Sequence, residues 1–252
     1  MTQSERLAKR VAELFSCSRR EAQAYIEGGF ITLDGVLCDE VGARVLPEQS
    51  IVLLPGAHCE PMPDVSLLWH KPVGITAPLG IVHKEDSLLE CFQTENLLQD
   101  VGGAQKLRRH FNKLEVCSSM DAAASGLVVL TQNWHIARKL RDDGLSIEQE
   151  WVLEVAGLIE PELRAEYLVQ LLQANAGLNR PFSGLKLSWQ NEIRLRCVYK
   201  GGLRGEYDEQ MQALFAKLNW RLQASRRIRI GRIALAGMNA GSWRYLRDFE
   251  RF

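Results

Sequence analysis

Apolar positions at the start of the chain follow a helical period, with Leu7, Val11 and Leu14 on one face of an amphipathic segment. Ser18 followed by Glu21 forms a capping box that predicts the start of a second helix, and Gly28-Gly29 predicts its end. The pattern then shortens. Residues 30–37 (FITLDGVL) read as a hairpin turning at Asp34-Gly35, and residues 51–54 as a further strand. Residues 58–64 (HCEPMPD) hold two prolines and no periodicity, which predicts a linker.

Beyond the linker, Leu67, Leu68 and Trp69 lead a strand that ends at Lys71-Pro72-Val73-Gly74. Strands are predicted at 126–131, 149–156, 193–199 and 221–235, and helices at 133–142, 160–173 and 206–218. Regular βαβ spacing is absent, so the pattern predicts an α+β domain with a largely antiparallel or mixed sheet.

The run from Ser118 to Thr131 (SSMDAAASGLVVLT) places one carboxylate, Asp121, among small residues ahead of a short apolar strand. A carboxylate on a compact turn, with Ala122, Ala123 and Ala124 leaving room beside it, is placed to attack a bound molecule. The segment alone equally fits an Asp that caps its own turn.

Length allows one large or two modest domains. No apolar run reaches the roughly 18 residues of a membrane span, and the N-terminus lacks a signal-peptide core, so a cytoplasmic location is expected. The six cysteines form no C-x-x-C pair, which argues against a zinc site or a disulfide framework. Cys117 lies close enough to Asp121 in sequence for a reactive thiol to be considered. Net charge is zero, but the cations cluster. One group is Arg6, Lys9, Arg10, Arg19 and Arg20; a second is Lys106, Arg108, Arg109, His110 and Lys113; a third gathers Arg226, Arg227, Arg229, Arg232, Arg244, Arg247 and Arg251. Local patches make an electrostatic footprint even in a neutral chain.

Arg6-Leu7, Ser18-Arg19-Arg20-Glu21-Ala22, Ile26, Gly29 and Asp34-Gly35 resemble the S4 domain, a small RNA-binding module. Arg19 and Arg20 fall in the first turn of the second helix, where unpaired N–H groups favour an anion and two guanidinium groups make a phosphate clamp. The competing expectation is that they pair with Glu13 and Glu21.

From residue 66 the chain resembles the S4-linked bacterial pseudouridine synthases that modify ribosomal RNA. Lys71-Pro72-Val73-Gly74, Met120-Asp121 with Ser125-Gly126-Leu127 and Leu130-Thr131, and Glu148-Gln149-Glu150-Trp151-Val152 carry the likeness. So do Arg227-Ile228-Arg229-Ile230-Gly231, Leu235 and Gly241-Ser242-Trp243-Arg244-Tyr245-Leu246. The resemblance implies an S4 domain over 1–57, a linker over 58–65 and a catalytic domain over 66–252. It implies Asp121 as catalytic carboxylate, substrate contacts from Lys71, Trp151, Gln212 and Arg227, and RNA contacts from Arg6, Lys9, Arg19, Arg20, Arg108 and Arg109. It also implies RNA, ribosomal by analogy, as the partner of a monomer, with no metal and no cofactor. A flipped uridine costs about a few kcal/mol to extract, and stacking on Trp151 would recover roughly 1–3 kcal/mol; ordinary strand packing is the alternative for that ring.

Three positions depart from the family. Ser119 stands where it has an arginine, Trp151 replaces its tyrosine, and Gln212 falls where an arginine pairs with the catalytic carboxylate. Arg204 or Arg227 is then the candidate cation. An active but divergent synthase and a binding protein that has lost the chemistry are both consistent with this erosion. A hydrolase using Asp121 with His70 or His110 has no nucleophile elbow to support it.

Overall fold

The computed structural model describes residues 4–83, 85–98, 105–156, 161–179, 181–203 and 207–252. These form two compact units, residues 1–64 with 105–112, and residues 65–104 with 113–252.

In the first unit, β1 (Glu5–Arg6) runs into α1 (Leu7–Leu14), and α2 (Arg19–Glu27) follows. Ser18 Oγ accepts from the Glu21 N–H while the Glu21 carboxylate accepts from the Ser18 N–H, which closes the predicted capping box. β2 (Ile31–Leu33) and β3 (Val36–Leu37) turn at Asp34 and Gly35, both at positive φ, as a tight hairpin requires. β4 (Arg44–Val45) pairs with β1, and β5 (Ile51–Leu53) pairs with β2. Leu7, Val11, Ala22, Ile26, Ile31 and Val45 make the core.

Residues 105–112 group with the first unit. Leu107 is buried and its methyl group fills the space where a Gly29 side chain would be. The Arg108 N–H donates to Asp39 at 2.6 Å, its guanidinium pairs with Asp39 and Glu40, and Arg109 donates to the Met62 carbonyl. Burial beside Arg109 lowers the His110 imidazole to about 4, so this histidine is neutral near pH 7.

The second unit is built on one mixed sheet. Its strands are β6 (Ser66–Lys71), β7 (Gly80–Ile81), β8 (Glu115–Val116), β9 (Ser125–Thr131), β10 (Glu148–Ala156), β11 (Ser183–Trp189), β12 (Arg194–Lys200), β13 (Arg221–Ile230), β14 (Ile233–Ala234) and β15 (Trp243–Tyr245). The order is β11-β12-β10-β13-β9-β6-β15, with β14 on β13 and β8 joining β7 to β9. Among the described residues only β9 and β13 run parallel. Their contact depends on Gly126, at φ +118°, where any Cβ would collide with the Arg227 backbone. α3 (Trp134–Asp142), α4 (Arg164–Ala176) and α5 (Tyr207–Ala216) lie at or near the predicted helices. The predicted strand 221–235 is a hairpin of β13 and β14, broken at Gly231, which takes positive φ. β11 has no counterpart in the sequence reading. It is an edge strand with no fully buried side chain, so it lacks the apolar run that marks the inner strands.

One face of β10, β12 and β13 carries an ion-pair ladder. The Glu150 carboxylate accepts from Arg196 at 2.5 Å and Arg229 at 2.9 Å, Glu148 accepts from Arg229 at 2.5 Å, and Glu154 pairs with Arg194. The Arg196 hydrogen bond first, with Arg229 behind it, holds Glu150 below the usual carboxylate range. A lowered folded-state pKa stabilises above the unfolded value of 4.5, and that stability disappears as pH falls through the folded value. Glu150→Gln should therefore lower the melting midpoint at pH 7, by about 1 kcal/mol of stability. The difference from wild type should shrink toward pH 3 in thermal melts. A gap that is constant with pH would show that the carboxylate charge contributes nothing.

Candidate active site

Asp121 is exposed, yet the backbone on both sides of it is fixed. Met120 exchanges two backbone hydrogen bonds with Ala77, at 2.8 and 3.0 Å, and the Gly74 N–H donates to the Ala122 carbonyl at 2.7 Å. The Ser119 N–H donates to the Leu203 carbonyl, and the Ser118 hydroxyl accepts from the Val129 N–H inside the core. The turn presents a carboxylate to solvent from a rigid frame, which is the preorganisation a nucleophile needs.

Two buried cations complete that frame. Lys71 is fully buried, and its ammonium donates to the carbonyls of Pro72, Ile75 and Ala124 at 2.8, 2.5 and 2.7 Å. It joins the Lys71–Gly74 turn to the turn of Asp121. Arg227 is also fully buried. Its Nε donates to the Leu127 carbonyl at 2.7 Å, one terminal nitrogen to Gln149, and the other to the carbonyls of Ser118 and Ser119 at 3.0 and 3.3 Å. The resemblance implied substrate contact for both residues. In this structure both are buried and donate to backbone carbonyls, as internal carbonyls need internal donors.

Trp151 lies on β10. Its ring is 1 % exposed, and the Arg227 guanidinium lies 5.2 Å from the ring centroid, so it packs within the sheet as a cation–π pair. Gln212 is exposed and stands with Ala123 in a cleft of about 260 Å³. Trp220, Arg221, Gln223 and Ser225 also line that cleft, and none of them figured among the expected site residues. Arg204 lies outside the described residues.

The alternative chemistries find no support in these positions. Burial pushes the Cys117 thiol up to about 12, which leaves no thiolate near neutral pH. His70 is buried with Nδ1 2.9 Å from the Met238 carbonyl, and His110 is buried.

Of the cations expected to meet RNA, Arg6, Arg19 and Arg20 are exposed. Glu13 pairs with Lys9 and Glu21 closes the capping box, so neither of the acids expected to neutralise Arg19 and Arg20 is theirs. Lys9 and Arg108 are exposed but paired with Glu5 and Glu13, and with Asp39 and Glu40; Arg109 holds the Met62 carbonyl.

Residues 5–51 match the S4 domain family, and the chain superposes on a solved pseudouridylate synthase with a TM-score of 0.53. That superposition covers 96 % of each chain at 18 % identity. The protein is an S4 domain joined to a domain with the pseudouridine-synthase fold. In sequence it is similar to the dual-specificity RNA pseudouridine synthase RluF of Escherichia coli, 25 % identical over 247 residues, covering 98 % of this chain and 77 % of that one. It is similar, too, to an uncharacterized RNA pseudouridine synthase of Aquifex aeolicus, 24 % identical across 97 % of this chain and 94 % of its relative. A putative chloroplastic ribosomal large subunit pseudouridine synthase of Arabidopsis thaliana is 26 % identical over 91 % of this chain and 55 % of its own length.

Proposed function

We propose that this protein is an RNA pseudouridine synthase acting on ribosomal RNA as a monomer, with Asp121 as its catalytic carboxylate. The observation that carries the reading is an exposed carboxylate on a turn fixed from both sides and from beneath, within this fold. The reaction breaks the bond between ribose C1′ and uracil N1, turns the base, and joins C1′ to C5. N1 gains a proton as C5 loses one, so nothing is consumed. A carboxylate serves such a reaction by covalent attack on base or sugar, or by abstracting a sugar proton. Arg227 and Lys71 contribute by holding the turn, and Gln212 offers an amide to the base.

The test is chemical mapping of pseudouridine in ribosomal RNA from cells lacking the protein, with and without complementation. A modification that vanishes on deletion and returns with the wild type names the target. An unchanged map, with tight RNA binding retained, would leave a binding protein on an enzyme's fold.

Arg19 and Arg20 supply the phosphate contacts of the S4 domain in this reading. Replacing both with alanine should weaken RNA binding and flatten the dependence of log affinity on log salt by roughly 1 to 2. An unaltered slope would place the phosphate contacts elsewhere.

A further inference from the structure

The family's aromatic position is closed in this chain, because Trp151 is buried under Arg227. The geometry points to Trp220 as the aromatic platform that receives the base, with Gln212 and Gln223 reading its edge; this rests on the synthase reading above.

The placement of Trp220 is built by the chain itself. At the end of α5, the Asn219 N–H donates to the Ala216 carbonyl at 3.0 Å and the Trp220 N–H to the Phe215 carbonyl at 3.0 Å. Asn219 takes positive φ (+56°), so the pair forms a Schellman motif with asparagine in its left-handed position. That motif brings together the side chains at its two ends, and the Phe215 and Trp220 ring centroids lie 6.0 Å apart. Tyr167 packs on Trp220 at 5.1 Å, nearly perpendicular, and Trp189 lies at 6.3 Å. The indole is thus held by three rings while remaining half-buried in the cleft wall.

The cleft suits one nucleobase. Its roughly 260 Å³ is below the roughly 300–1,000 Å³ of drug-sized ligand sites. Ala123, two residues past Asp121, forms one wall, so a base on Trp220 lies beside the turn that carries the carboxylate. Of the two aromatic residues in its walls, Phe215 is buried and Trp220 is half-buried. Gln212 and Gln223 are exposed on the same cleft, and each amide offers both a donor and an acceptor. Uracil's imide edge, an N–H between two carbonyls, requires that combination. Arg221, exposed in the same lining, supplies a cation for the adjoining phosphate.

The experiment is a titration of intrinsic tryptophan fluorescence in the full chain with a short oligouridylate, against an abasic ribose-phosphate oligomer of equal length. A base-dependent quench is expected in the wild type and in Trp151→Phe, and its loss in Trp220→Phe, which preserves aromatic packing. Trp220→Ala should weaken oligouridylate binding by between about 5- and 150-fold, the scale of one base–aromatic stack. A quench retained in Trp220→Phe, or lost in Trp151→Phe, overturns the assignment. Pseudouridine mapping separates the two readings. A Trp220-dependent quench in a protein that forms no pseudouridine keeps the base site and removes the synthase. Normal turnover and an unchanged quench in Trp220→Phe does the reverse.

Discussion

Replacing Asp121 with asparagine is expected to abolish pseudouridine formation, by at least about a thousandfold, the scale on which loss of a single catalytic group is felt. RNA affinity should stay close to that of the wild type. The amide matches the carboxylate in size but is a poor nucleophile and a poor base. The backbone bonds from Ala77 and Gly74 and the ammonium of Lys71, which hold the turn, are left in place by the replacement. Single-turnover conversion of a mapped ribosomal RNA site by the purified variant is the measurement. Conversion near the wild-type rate would remove Asp121 from the chemistry.

The second large effect is expected at Arg227. Replacing it with methionine fills similar space but leaves the carbonyls of Ser118, Ser119 and Leu127, and the Gln149 amide, without their donor. Orphaning a buried polar cluster of this kind costs roughly 3–5 kcal/mol, to be read as a shift in the denaturation midpoint of the second unit. Lysine would restore the charge but not the planar fork that reaches acceptors on two strands and a loop, so stability should recover only in part. Activity should fall further than stability in the lysine variant, because a displacement of about 1 Å at a reacting group costs on the order of a hundredfold. An Arg227→Met protein with an unshifted midpoint would show that these bonds do not hold the turn.

Arg227 also bears on the arginine missing at Gln212. Of the two cations considered for that role, Arg204 lies outside the described residues, and Arg227 comes from β13, with two of its hydrogen bonds on Ser118 and Ser119, the residues that lead into Met120 and Asp121.

What the sequence made legible was local. The capping box of Ser18 and Glu21, the turn at Asp34-Gly35 and the small-residue run around Asp121 each state their structure within a few positions. The inner strand β9 is equally plain, since its buried residues Leu127 to Leu130 read as a continuous apolar run. β11 was hidden because an edge strand needs little apolar content. The destinations of Lys71 and Arg227 were hidden for a different reason. A sequence displays a charge but not the carbonyls that will surround it, so the burial of these cations could not be read. Residues 105–112 read as a basic patch, yet Gly29, Asp39 and Glu40, distant in sequence, decide where Leu107 and Arg108 go. Trp220 was missed because its setting depends on the helix end before it and on rings from α4 and β11.

The parallel contact of β9 with β13 has a consequence in time. It joins Gly126 to Arg227, about a hundred positions later in the chain. At synthesis rates of roughly 5–20 residues per second, the turn of Asp121 emerges several seconds or more before the arginine that braces it. During that interval the carboxylate is present while the buried donor to the carbonyls of Ser118 and Ser119 is still to come.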